Sequence, residues 1–235
     1  MSNLIGVFDS GVGGFSVLEK LLMVLPNENY LYYSDNKNNP YGDKSDEELF
    51  SIVSEIVEYL RNEGCKLVVI ACNTATTKCM KKLREKYTDM LFVGTVPAIK
   101  VACDNEFKNT LVMATPATIE SERCEELVKE NKRDDQNIYL VACDGLANAI
   151  ELGKKELVDD ILKNIFNNYR DKNIDSIVLG CTHYPFVKRE ILSEMPGVTL
   201  LDGSMGVANE VKRQLENNNL INDTDIKGKV FVIKS

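Results

Sequence analysis

The sequence predicts an α/β fold of mainly parallel sheets flanked by helices, and three observations carry that expectation. Apolar runs of strand length alternate with amphipathic helical stretches almost from end to end. Two of the runs, Leu67-Val68-Val69-Ile70-Ala71 and Ser176-Ile177-Val178-Leu179-Gly180, are nearly unbroken and lead straight into a cysteine, Cys72 and Cys181. Runs of this kind read as strands buried on both faces, and the loop at their carboxyl end is where open α/β sheets bind ligands. The two cysteine stretches also stand about half the chain apart, which predicts two similar halves. No linker rich in Gly, Pro or Ser separates them, so the halves are expected to pack closely.

Leu4 to Phe8 reads as the first strand, the turn Asp9-Ser10-Gly11-Val12-Gly13-Gly14 follows, and Phe15 to Leu25 has helical spacing up to Pro26. Tyr30 to Tyr33 is a short strand that empties into residues 34–44, where three Asn, a Pro and a Gly predict irregular loop. Ser45 and Glu48 form a capping box, and Leu49, Ile52, Val53, Ile56, Val57 and Leu60 make one stripe of a long helix closed by Gly64. After the Cys72 strand come a basic helix over Thr74 to Tyr87 and a strand over Leu91 to Gly94. Pro97 then opens a short helix, Thr110 to Ala114 is a strand, and one helix spans Ile119 to Asn131. Asn137 to Ala142 is a strand and Lys155 to Tyr169 a helix. The Cys181 strand leads to a helix starting near Phe186, a strand over Val198 to Leu201, a helix over Val207 to Glu216 and a last strand over Lys229 to Ile233.

A chain of 235 residues can bury a sizeable core. Its net charge of -8, with no basic run interleaved with aromatics, argues against a nucleic-acid partner. No apolar stretch reaches the length of a membrane span and no basic start precedes a long apolar region, so a soluble cytoplasmic protein is expected. The seven cysteines, at 65, 72, 79, 103, 124, 143 and 181, are odd in number and never spaced C-x-x-C. That pattern fits reduced thiols rather than a disulfide framework or a zinc site, and the single histidine supplies no ligand spacing for a metal. Gly11-Val12-Gly13 with Asp35 further on suggests a dinucleotide fingerprint, but Ser16 stands where the third glycine belongs and Asp9 would face the pyrophosphate.

Each of the two strand-end cysteines precedes an expected helix start, where free amides and the helix dipole favour a thiolate. Cys181 with His183 alone would fit a cysteine hydrolase, which leaves the matched Cys72 without a role. Two opposed thiols are suited to a shared reaction in which one removes a proton from a carbon and the other returns a proton to the opposite face. Asn73, Thr74, Thr182 and free backbone amides would stabilise the charge that builds on the carbon and its carboxylate. Asp9 would hold a substrate ammonium, and His183 would relay protons to Cys181.

Taken together, Phe8-Asp9-Ser10-Gly11-Val12-Gly13-Gly14, Pro40-Tyr41-Gly42, Ala71-Cys72-Asn73-Thr74-Ala75 and Gly180-Cys181-Thr182-His183-Tyr184-Pro185 closely resemble the glutamate racemases of the cofactor-independent aspartate/glutamate racemase superfamily. The resemblance runs from about Ile5 to the end. It implies two pseudo-symmetric α/β domains with the active site in the cleft between them, residues 1–95 plus 206–235 forming the first and 96–205 the second. It implies Cys72 as the base acting on D-glutamate and Cys181 as the base acting on L-glutamate, Asp9 and His183 as their acid-base helpers, and Glu151 as an auxiliary glutamate beside the histidine. The backbone of Pro40, Tyr41 and Gly42 would receive the side-chain carboxylate. Ser10, Asn73, Thr74, Thr118 and Thr182 would hold the amino and α-carboxylate groups. No cofactor and no metal are expected, and the partners are glutamate and a second copy in a homodimer. His183 favours glutamate over aspartate, since aspartate racemases of the superfamily typically carry Glu there. Racemisation of aspartate or another amino acid, or a mainly binding or regulatory role, are the alternatives. Asn38, Asn39 and Val96-Pro97-Ala98 depart from the usual family pattern. Relatives usually continue through a final helix after Ile233, which predicts a less covered edge on the first domain.

Overall fold

The computed structural model describes residues 3–235. The chain forms two compact units: the first runs to Thr95 and resumes as Ser204–Ser235, and the second is Val96–Gly203. In the first unit the elements are β1 (Leu4–Asp9), α1 (Phe15–Val24), β2 (Asn29–Ser34), α2 (Asp46–Asn62), β3 (Cys65–Ile70), α3 (Asn73–Lys86) and β4 (Leu91–Gly94). In the second they are α4 (Ile99–Asp104), β5 (Asn109–Ala114), α5 (Pro116–Ile119), α6 (Glu122–Asn131), β6 (Asn137–Ala142), α7 (Leu146–Glu151), α8 (Lys155–Asn167), β7 (Ser176–Leu179), α9 (Lys188–Glu194) and β8 (Thr199–Leu201). The chain then returns to the first unit as α10 (Ser204–Asn217) and β9 (Val230–Lys234).

Each unit is built on one sheet whose strand pairs are all parallel. The orders are β4-β3-β1-β2-β9 and β6-β5-β7-β8. Side chains alternate across the strands, so each sheet presents apolar groups to helices on both faces. In the first unit Phe8, Val68 and Ile70 pack with Leu49, Val53, Val57 and Leu60 of α2, while Ile5, Val7, Leu67 and Val69 pack with helices α1 and α10. In the second, Met113, Ile177 and Leu179 pack with α7, α8 and α9, and Val112 and Val178 pack with α4 and α6. Each fully buried Leu, Ile or Phe here contributes about 1.5–3 kcal/mol by leaving water. Among the described residues no helix is long and apolar enough to cross a membrane.

Several local expectations change. Residues 34–44 are not wholly irregular: two single 3₁₀ turns, Asn36–Asn38 and Tyr41–Asp43, are folded into them, with a cis bond between Asn39 and Pro40. Only half of the capping box forms, because Ser45 Oγ accepts from the Glu48 amide at 3.1 Å while the Glu48 carboxylate turns to Lys44. The helix expected over Ile119 to Asn131 is broken into α5 and α6, since Ser121 caps a new start by accepting from the Cys124 amide. Helix α7 is additional to the elements expected from the sequence; Gly145 opens it at a φ of 69°, a conformation glycine adopts without cost.

Candidate functional site

In the first unit the candidate residues gather at the carboxyl ends of adjacent strands. β1 and β3 run side by side, with Phe8 opposite Ile70, so Asp9 and Ser10 emerge beside Ala71 and Cys72. Asp9 is fully buried, and its Oδ2 accepts from the amides of Gly11 and Gly14 at 3.3 and 3.0 Å. The glycine turn therefore gives its amides to a carboxylate of its own chain, the group that a pyrophosphate would have replaced in a dinucleotide site. Gly14 is required there for space: a Cβ would stand 2.7 Å from both Asp9 Cβ and Tyr32 Oη.

Cys72 is the N-cap of α3, with extended backbone, and its carbonyl accepts from the Thr76 amide at 2.9 Å. The fourteen-residue helix directs its positive end at this thiol. Asn73 and Thr74 form the first turn and are buried. The Asn73 side-chain oxygen has no hydrogen-bond partner although it is buried, which costs about 1–3 kcal/mol unless a donor arrives. Tyr41 belongs to the same neighbourhood: burial, then Asp35, then Cys72 and Asp9 hold its phenol well above the ordinary tyrosine value. A side chain at Gly42 would meet no atom within 4 Å, so the backbone there is open to approach.

In the second unit β7 delivers Cys181. Gly180 leaves no room for a larger residue, since a Cβ would lie 2.8 Å from the Met113 carbonyl oxygen. Cys181 does not begin an α-helix as expected; a 3₁₀ turn over Tyr184–Val187 intervenes before the short α9. The thiol has another partner instead. Cys181 Sγ is 3.7 Å from His183 Nδ1, and His183 Nε2 is 2.5 Å from Glu151 Oε2 at the end of α7. A proton on Nε2 would point at the Glu151 carboxylate, and Nδ1 is the ring nitrogen that faces the thiol. Thr182 and His183 are buried beside it. Thr118 is fully buried on α5, after the neighbouring β5, and its hydroxyl and amide are both engaged by Thr115 Oγ1.

The remaining five thiols, Cys65, Cys79, Cys103, Cys124 and Cys143, are buried. Burial pushes Cys65, Cys79 and Cys143 up to about 12, and raises Cys103 and Cys124 as well. They serve as small apolar groups that stay protonated at neutral pH. Among the described residues no group of three or more His, Cys, Asp or Glu is placed to hold a metal ion. Asp35, noted in the sequence only for its distance from Gly11-Val12-Gly13, proves to be a buried hub; nothing short of the fold could disclose all its partners, one of which lies 200 residues away.

Comparison with known proteins agrees with this geometry. Residues 14–210 match the Asp/Glu/Hydantoin racemase family. A glutamate racemase of Clostridium perfringens is 43% identical over 236 residues, covering 98% of this chain and 90% of the relative. The crystal structure of a glutamate racemase isoform from Bacillus anthracis superposes with a TM-score of 0.86 at 30% identity, covering 98% of this chain and 88% of that one. The glutamate racemase of Francisella tularensis, solved in complex with D-glutamate, gives 0.85 at 29% identity, with 100% and 89% covered. Both the family signature and the full-length likeness fall on the strands and turns that carry the two thiols, and the chain belongs to the glutamate racemase family.

Proposed function

We propose that this protein interconverts L- and D-glutamate by cofactor-independent 1,1-proton transfer, supplying D-glutamate for peptidoglycan in the cytoplasm. The observation that carries the reading is a thiol at the carboxyl end of a parallel strand in each unit, each with its own acid-base neighbour: Asp9 for Cys72, and the His183–Glu151 pair for Cys181. Cys181, as thiolate, takes the α-proton of L-glutamate, and Cys72, as thiol, gives a proton to the opposite face; the reverse reaction uses them in the opposite order. Each turnover exchanges which thiol carries the proton, and Asp9 and His183 restore the starting state.

The α-proton of an amino acid is a weak acid, so the developing carbanion must be stabilised where it forms. Ser10, Thr74, Thr118 and Thr182 are the donors for the α-carboxylate. The unpartnered oxygen of Asn73 is an acceptor suited to the substrate ammonium. The backbone of Pro40, Tyr41 and Gly42 receives the side-chain carboxylate, and the open space over Gly42 supports that role. Self-association as a homodimer is part of the same reading, and sedimentation velocity tests it.

Circular dichroism of L-glutamate incubated with purified protein, run in deuterated water under reducing conditions, tests the reaction. Loss of optical activity with solvent deuterium in the inverted product is expected. An amino-acid panel in which aspartate, but not glutamate, loses its signal would overturn the substrate, and full racemisation by Cys181→Ala would overturn the two-thiol mechanism.

A further inference from the structure

Asp35 is 1% exposed, and its carboxylate is surrounded by donors from three directions. Tyr41 Oη donates to Oδ2 at 2.8 Å, Ser235 Oγ donates to Oδ1 at 2.9 Å, and Asn38 Nδ2 lies 3.0 Å from both oxygens. The backbone of Asp35 is tied in as well, its amide donating to the Asp9 carbonyl at 2.9 Å. Ser235 closes the arrangement: its hydroxyl accepts from the Lys37 amide at 3.1 Å and its own amide donates to the Ser34 carbonyl. Ser235, carried just past β9, thus grips the start of the segment that leads to Pro40, Tyr41 and Gly42.

We propose that Asp35, latched by Ser235, is a positioning residue for glutamate binding: it fixes Tyr41 and Asn38, and through them the backbone of Pro40, Tyr41 and Gly42 that receives the substrate's side-chain carboxylate. The inference rests on the proposed racemase function. A charged acceptor makes stronger hydrogen bonds than a neutral one, and the three side-chain donors here are neutral, so the carboxylate is the one group that all of them share. Besides two single 3₁₀ turns, a Ser34 Oγ to Asn36 Oδ1 hydrogen bond and the burial of Tyr41 in the core, the segment has no regular structure, and this hub is what ties it to the end of β9. The effect falls on how the substrate is held rather than on the proton transfers at Cys72 and Cys181.

The test compares wild type with Asp35→Asn, Ser235→Ala and Tyr41→Phe. Asp35→Asn should raise KM for both enantiomers about tenfold with kcat little changed, the signature of lost ground-state positioning. Ser235→Ala and Tyr41→Phe should move KM the same way by less. Amide hydrogen exchange of residues 36–43 should accelerate in the variants while the β-sheet amides keep their rates. Unchanged KM in folded Ser235→Ala and Tyr41→Phe, or variants that lose thermal stability alone, would overturn the role of Asp35 even if Asp35→Asn fails to fold. A wild-type protein that does not racemise glutamate overturns the proposed function, and with it this role.

Discussion

His183 Nε2 stands 2.5 Å from Glu151 Oε2, and the two residues come from different elements, the turn after β7 and the end of α7. In the proposed reaction the carboxylate would orient the imidazole and stabilise it when it carries a second proton. Glu151→Gln keeps the shape and removes the charge, so kcat should fall about 100-fold, within the range for general acid-base groups. L- and D-glutamate have equal free energy in water, so kcat/KM must fall equally in both directions. Polarimetric kinetics from each enantiomer check this, and an unaltered kcat would exclude Glu151 from the relay.

Gly14→Ala places a methyl 2.7 Å from Asp9 Cβ and Tyr32 Oη and 3.1 Å from Ala71 Cβ. Neither backbone strand can yield easily, and the overpacking should cost about 1–3 kcal/mol of stability. Asp9 must shift with it, so activity should drop further than the loss of folded protein accounts for. Thermal unfolding and kcat on the same preparation separate the two effects.

Lys66 and Glu28 form a buried ion pair at 2.7 Å, with side chains 8% and 1% exposed. Lys66 Nζ also donates to the Leu220 carbonyl, and the Asn222 amide donates to the other Glu28 oxygen, so the pair anchors the segment between α10 and β9. Lys66→Met strands the carboxylate and should destabilise by about 3–5 kcal/mol. The double variant with Glu28→Leu should recover much of that loss in urea unfolding, since no unpaired buried charge remains.

Alkaline stability follows from the buried thiols. Cys65, Cys79 and Cys143 are pushed up from 9.0 to about 12 by burial, so each holds its proton more tightly folded than unfolded. Their contribution is complete below the unfolded thiol value and drains away as pH rises from about 9 toward 12. Denaturant midpoints measured from pH 7 to 11 should decline over that window, and substitution of the three by alanine or serine should flatten the slope. An unchanged slope in the triple variant would place the alkaline loss elsewhere.

Much of this architecture is legible in the chain because its strands and long helices have unambiguous periods. The stripe of Leu49, Val53, Ile56, Val57 and Leu60 faces the sheet as its spacing requires, and Ala71-Cys72 and Gly180-Cys181 lie just past the strands β3 and β7. Short elements escape for a physical reason. Six residues, Leu146–Glu151, are too few to establish a helical period, and the break at Ser121 is set by a local cap inside a stretch whose apolar spacing continues. The environment of Cys181 also differs from that of Cys72, since a histidine and a carboxylate stand where the sequence predicts a helix start. Asp35 is the least legible: its partners include Ser235, and pairings at that separation leave no mark in local sequence.

The return of the chain to its first unit has a consequence for how the protein is made. Residues 96–203 form a contiguous body whose four strands pair with one another. The first unit must wait, because β2 receives β9 only after Val230–Lys234 has been made. Domains tend to fold as units in the order of synthesis, and distant pairings pay their loop-closure entropy last. On the ribosome the inserted unit is therefore complete while the edge of β2 is still uncovered, and Ser235 reaches Asp35 only once β9 has joined the sheet.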